Sequence, residues 1–192
     1  MPTPTTPAPA TAAPGQDAAK RSRGPAMQKR RQQKSRYGTQ MAEKQQLKEI
    51  YGVQEQQLRN YYDAARRSRE ETGPHLITLL ERRLDNAVYR AGFAPTRKAA
   101  RQMSTHRLLN VNGHPVDVPS YRLKAGDVVD VRVGKRSKSL FSNFEKRMQN
   151  VKSPSWILLN PAEFGFKVSA LPSLAEANVG VDVQAIVEYF AR

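Results

Sequence analysis

There is no cysteine anywhere in the 192 residues. Disulfides, thiolate metal sites and a cysteine nucleophile are therefore excluded. Histidine is scarce: His75, His106 and His114 stand far apart, without the spacing that holds zinc. No apolar run approaches the ~20 residues of a membrane-spanning helix. The N-terminus has no apolar segment of the secretory type, so a cytosolic location is the default expectation. A glycine-rich phosphate loop and a G-x-S-x-G element are both missing. Asp85, set among Arg82, Arg83 and Arg90, reads as one half of a structural ion pair rather than as a catalytic acid. Negative charge is the remaining shortage. Seventeen acids face 32 lysines and arginines, for a net charge of +15 and a pI near 10.4. That surplus asks for a polyanionic partner, nucleic acid ahead of an anionic membrane.

What is present begins with a segment that cannot fold alone. Five of the 13 prolines fall in the first 14 residues. Between Ala18 and Ala42 stand eight basic residues and no acid. Residues 1–36 are expected to be a disordered basic arm that orders on nucleic acid. A solvated tail and a cleaved transit peptide are the alternatives. The arm is preferred because like charge this dense is costly without counter-charge.

Helical periodicity starts near Thr39. Leu47, Ile50 and Tyr51 share a face and Gly52 can stop the helix. A second helix runs through Leu58, Tyr61, Tyr62 and Ala65, with Arg59, Arg66, Arg67 and Arg69 on its other faces. The tyrosine pair reads as core rather than as a platform for bases. After Thr72-Gly73, Pro74 suits a first helical position. From there Leu76, Leu80, Leu84, Ala87, Val88 and Ala91 form one stripe, which predicts a single continuous helix ended by Gly92. Arg83, Asn86 and Arg90 follow the edge of that stripe. Thr96 then caps a shorter helix that faces Ala99, Ala100 and Met103 inward and Arg97, Lys98 and Arg101 outward. Arg83, Arg90, Arg97 and Arg101 are expected to line one surface.

Strands follow. Leu109–Val111 and His114–Val118 flank Asn112-Gly113, which fits a two-residue type I′ turn. Val128–Val133 reads as a third strand. Leu140, Phe141, Phe144 and Met148 predict a helix amid renewed basic charge. Trp156–Leu159 and Phe164–Val168 read as strands, and Val183–Phe190 as a terminal helix. The tail from Pro161 has four acids against two bases, so it is expected to face protein rather than phosphate.

The run RLDNAVYRAGFAPTRKAARQM, followed by LNVNGHPVDVPSYRLKAGDVVDV, resembles the S-four RNA-binding module. The flanks YGTQMAEKQQLKEIYGVQEQQLRNYYDAA, PSW at 154–156 and the terminal VQAIVEYFAR are similar to the bacterial-type small-subunit ribosomal protein S-four family. The resemblance covers about Tyr37 to Arg192. It implies an α+β fold: an N-terminal helical domain completed by the C-terminal tail, with an inserted module of two helices and a small curved antiparallel sheet. The implied divisions are a disordered basic arm over 1–36, a helical rRNA-binding domain over 37–81 completed by about 153–192, the RNA-binding module over 82–145, and a C-terminal segment, 146–192, that packs back on the helical domain.

It also implies a function. The chain is expected to be a structural constituent of the small ribosomal subunit and not an enzyme, without cofactor or metal. It would bind small-subunit rRNA as a primary binder, nucleate assembly, and influence decoding accuracy near the channel by which messenger RNA enters. Expected partners are small-subunit rRNA, neighbouring small-subunit proteins of the S-five type and mRNA, with no membrane and no small-molecule substrate. The location is the ribosome, cytoplasmic or organellar. The expected RNA-binding residues are Arg30, Arg31, Lys34, Arg36, Lys44, Arg59, Arg66, Arg67, Arg82, Arg83, Asn86, Arg90, Arg97, Lys98, Arg101, His106, Arg107, Lys135, Arg136 and Lys138. Many family members carry cysteines before a Pro-Gly-Gln. Here Pro14-Gly15-Gln16 follows a Pro-, Thr- and Ala-rich lead without cysteine, so no metal is implied. A stand-alone RNA-binding factor acting on ribosomal particles is the alternative. The long N-terminal and terminal helices weigh against it. A pseudouridine synthase would need a catalytic domain for which the ~50 residues after the module leave no room.

Overall fold

The computed structural model describes residues 35–191. Most of the expected arm, with Arg30, Arg31 and Lys34, lies outside the described residues. Arg36 does not belong to an arm: it is the first residue of helix α1, Arg36–Tyr51, because the Ser35 side chain caps that helix by accepting from the Gly38 N–H. Gly52, in the left-handed conformation, ends α1. Helix α2, Glu55–Arg66, buries Leu58, Tyr61, Tyr62 and Ala65, and Tyr61 and Tyr62 are core residues, as their spacing predicts.

The apolar stripe from Leu76 to Ala91 is divided between two helices, α3 at Thr72–Glu81 and α4 at Leu84–Arg90. The single helix expected here is therefore broken. Arg83 stands extended at φ −65° and ψ 139°. The backbone groups that the break frees are satisfied by a distant loop: Leu84 N–H donates to Tyr121 O, Asp85 N–H to Pro119 O, and Leu123 N–H to Arg82 O, at 2.9–3.1 Å. An isolated antiparallel bridge pairs Arg83 with Arg122. Pro74 lies inside the first turn of α3, where an N–H has no intrahelical partner to lose.

Gly92 follows α4 at φ +74°, and a Cβ there would stand 2.6 Å from Val151 Cγ1. Both facts call for glycine. Helix α5, Arg97–Thr105, is capped by Thr96, whose hydroxyl accepts from Ala99 N–H at 3.2 Å. Strands β1, Leu109–Val111, and β2, His114–Val116, form the hairpin. Its turn residues Asn112 and Gly113 both have positive φ, as a type I′ turn requires. Strand β3, Val128–Val131, pairs with the other side of β1.

The predicted helix over Leu140–Met148 is also interrupted. A 3-10 turn, Ser139–Phe141, and helix α6, Phe144–Gln149, are separated by Asn143 at φ 57°. The kink lets both Phe141 and Phe144 point into the core, with Phe93 edge-on to Phe144 at 4.9 Å. The segment after α6 does not pack only on the N-terminal helices. Strands β4, Ile157–Asn160, and β5, Gly165–Val168, extend the module's sheet, which has the antiparallel order β2-β1-β3-β5-β4. Helices α7, Leu174–Ala177, and α8, Val183–Phe190, go instead to the N-terminal helices. Phe190 stacks on Tyr62 at 4.9 Å, and Asp182 N–H donates to Glu43.

The fold is α+β. One core joins α1–α3 to α7 and α8 through Leu47, Leu58, Leu76, Leu80, Ala177 and Ile186. A second lies between α4, α5, α6 and the sheet, around Phe93, Val129, Trp156 and Phe166. The break at Arg82–Arg83 is where the chain passes from one core to the other.

Candidate nucleic-acid interface

The arginines at this passage differ in their surroundings, and the surroundings decide what each can do. Arg83 is 1% exposed. Its Nε and Nη2 donate to the two Asp85 oxygens at 3.0 and 2.6 Å, and its Nη1 donates to the Tyr61 hydroxyl at 3.0 Å. Burial opposes the guanidinium charge, but the bonds to Asp85 outweigh it and hold the pKa above the ordinary arginine value. The expected placement of Arg83 on an outer surface is thus corrected. Its donors are spent on Asp85 and Tyr61, the ion pair that the sequence assigned to Asp85.

Asn86 and Arg90 are drawn inward by a second carboxylate. Glu81 has no solvent exposure. It accepts from Tyr51 Oη at 2.6 Å, Asn86 Nδ2 at 2.7 Å, and Arg90 Nε and Nη2 at 3.0 and 2.7 Å. Arg90 Nη2 also donates to Ala177 O at 2.5 Å, which ties α7 to the same point. Burial and the adjacent Glu81 charge push the Tyr51 hydroxyl far above the tyrosine range, so it remains a donor. Asn86 is 2% exposed. The expectation that Asn86 and Arg90 lie on an open surface is corrected: Asn86 is buried, and half-buried Arg90 spends Nε and Nη2 on Glu81, because a wholly buried carboxylate is tolerated only when its lone pairs are filled.

Arg97 is the link from this network to the outside. Its Nε donates to Asn86 Oδ1 at 2.8 Å, and its guanidinium lies over the rings of Tyr89 and Tyr51, 4.5 and 5.1 Å from their centroids. Its two terminal nitrogens have no partner among the described residues. Lys98 beside it is exposed and unpaired among the described residues, and Arg101 Nη1 donates to Gly52 O at 3.0 Å, setting α5 against the corner between α1 and α2. On α2 and its C-cap, Arg59, Arg66 and Arg67 are exposed and unpaired among the described residues.

The remaining expected residues divide in the same way. Lys44 is buried, with Nζ 2.6 Å from Glu55 and over the Tyr189 ring, which corrects its assignment to an open surface. Arg36 pairs with Glu188 at 2.8 Å while remaining exposed. Arg82 Nε donates to Leu123 O. Arg107 pairs with Asp117 at 2.7 Å and holds that carboxyl below the usual aspartate range. Arg136 donates to the carbonyls of Val131 and Glu163. Lys135 is half-buried, whereas His106 and Lys138 are exposed.

Arg122 was not among the expected residues. It is exposed, 5.4 Å from the Tyr61 ring centroid, and shares a cavity of ≈ 200 Å³ with Gln57, Asn60 and Ser120. Its place in a turn-flanking run, YRLKAGD, gave no periodic signal.

Residues 10–81 match the family described as ribosomal protein S4/S9 N-terminal domain, and residues 82–129 match the S4 domain. The small ribosomal subunit protein uS4 of Roseiflexus castenholzii is 44% identical over 165 residues, spanning 85% of this chain and 80% of the relative. That of Chloroflexus aurantiacus is 44% identical with the same coverage. That of Persephonella marina is 42% identical over 167 residues, 86% of this chain and 81% of the relative.

Proposed function

The chain belongs to the small ribosomal subunit protein uS4 family, and from that premise we propose that it is a structural constituent of the small ribosomal subunit that binds its rRNA. The observation that carries the reading is the 44% identity to proteins of that name across 85% of the chain. The charge supports it: a protein at +15 gains affinity from each phosphate it neutralises. Exposed cations on separate elements, Arg66 on α2, Arg67 at its C-cap and Lys98 on α5, suit recognition of a folded RNA by shape and backbone.

On this reading the RNA surface is the set Arg59, Arg66, Arg67, Arg97, Lys98 and Arg101, extended by His106, Lys135 and Lys138. Two cores fixed to one buried carboxylate make a body that can hold two RNA segments in register, which is what a primary binder that nucleates assembly must do. Contact with an S-five-type neighbour, with mRNA near its entering channel, and an influence on decoding accuracy belong to the same proposal. The role is architectural, without catalysis, and its place is in the ribosome. No helix among the described residues is long and apolar enough to cross a membrane. The test is sedimentation of the tagged chain with small ribosomal subunits through a high-salt cushion. Retention on the subunit is expected, and quantitative release into the free fraction would overturn the reading.

A further inference from the structure

Ala99, Gln102, Met103 and His106 stand at i, i+3, i+4 and i+7 on α5 and its cap, and so share one face. Opposite that face, Leu108 and the turn at Lys138–Leu140 close a hollow of ≈ 380 Å³. That size falls within the ~300–1,000 Å³ of sites that take small organic groups. The floor is apolar. Met103 and Leu108 are buried, Ala99 partly so, and Leu140 retains 38% of its surface. The rim is polar. Gln102, His106 and Lys138 are exposed, and none of their side chains has a hydrogen-bond or ion-pair partner among the described residues. Among the described residues no carboxylate lines the hollow.

An apolar floor, an amide and an imidazole at its edge and one ammonium at its mouth match a heteroaromatic ring joined to a single phosphodiester. Among the described residues the site offers no glycine-rich loop and one lysine, too little for the charge of a nucleoside triphosphate. We propose that the hollow takes an unstacked base of bound RNA. The ring lies on Met103, Leu108 and Leu140, the Gln102 amide donates to or accepts from its edge, and Lys138 meets the adjoining phosphate. Bases splayed from loops and bulges are what proteins read in RNA, because the deep groove of an RNA helix admits no side chains. The proposal rests on the RNA-binding reading and adds a base contact to a surface otherwise made of phosphate contacts.

The experiment is filter binding of an in vitro transcript of small-subunit rRNA across a salt series, with thermal melting of each variant. Leu140→Ser removes part of the floor. Ala99→Leu fills the hollow without removing any contact. Each is expected to weaken binding about fivefold or more, with the slope of log affinity against log salt unchanged, since no counterion is involved. Lys138→Ala is expected to reduce that slope by roughly 0.7–0.9. Wild-type affinity in Ala99→Leu, or a loss that changes the salt slope, overturns the base subsite and leaves the RNA reading intact. A neighbouring protein docked in the hollow would give the first of these results. Failure of the wild-type chain to retain the transcript overturns both.

Discussion

Arg90 grips Glu81 with two parallel hydrogen bonds, Nε to Oε2 at 3.0 Å and Nη2 to Oε1 at 2.7 Å, across the break between α3 and α4. The pair joins the two cores, because Glu81 ends the last helix of one and Arg90 ends the first helix of the other. Tyr51 from α1 and Asn86 from α4 fill the remaining lone pairs. An ion pair at a wholly buried carboxylate is costly to desolvate, yet removing one partner costs more, since it strands the other.

Arg90→Met should therefore lower the unfolding free energy by about 3–5 kcal/mol, read from urea denaturation. The double variant Arg90→Met with Glu81→Gln should lose less than the sum of the two single changes, because it removes the stranded charge. Additive losses would show that the two residues act independently.

Gly92→Ala should destabilise the fold by more than the ~1 kcal/mol that a positive φ costs alanine. The new Cβ would stand 2.6 Å from Val151 Cγ1 and 2.7 Å from Cγ2. Pairing it with Val151→Ala should relieve the clash and leave the backbone term. If the double variant melts no higher than Gly92→Ala alone, the close approach of Val151 is not the cause.

Local signals were legible in the sequence where the partner lies within a few residues. The Thr96 cap, the Asn112-Gly113 turn and the helix Val183–Phe190 stand where their residues put them. The break at Arg82–Arg83 was not legible, because the apolar stripe from Leu76 to Ala91 keeps its period across it. What breaks the helix is the loop 119–123, about 40 residues away, which supplies the backbone partners. The arginines posed the same difficulty. Arg83, Arg90 and Arg97 have alike positions on a polar edge, and only Asp85, Tyr61 and Glu81, once brought together by the fold, separate the two arginines paired to carboxylates from Arg97, which is not.

Stability at low pH should depend in part on Glu55, which Lys44 and Lys48 approach at 2.6 and 2.8 Å. Partial burial disfavours its charge, but bonds from the two lysines outweigh this and hold the carboxyl below the ordinary glutamate value. The folded value is thus the lower one. The stabilisation is complete above the unfolded value of about 4.3 and is lost as pH falls through the folded value. Glu55→Gln should lie below the wild type in stability at neutral pH and converge with it in acid. The carboxylate is half in solvent, so the gap should be no more than about 1 kcal/mol. Parallel urea curves for the two proteins down the acid limb would contradict the assignment.

The basic residues should separate into two classes under substitution, and this separation tests the interface most directly. Lys98, Arg66 and Arg67 are exposed and have no partner among the described residues, so their only electrostatic work is outward. Each change to alanine should weaken rRNA binding and lower the salt slope by roughly 0.7–0.9, with the melting temperature unmoved. Arg83→Ala should do the reverse. It strands Asp85 and a Tyr61 hydroxyl inside the protein, so the fold should lose about 3–5 kcal/mol, and any loss of binding should follow the fraction unfolded. Arg97→Ala belongs to both classes. It removes two nitrogens that have no partner among the described residues, and it also leaves Asn86 Oδ1 without its donor and two tyrosine rings without their cation. Its binding loss should exceed that of Lys98→Ala, with a melting temperature between those of Lys98→Ala and Arg83→Ala. Wild-type affinity in Lys98→Ala, Arg66→Ala and Arg67→Ala together would place the RNA on some other face, whatever Arg83→Ala did to stability.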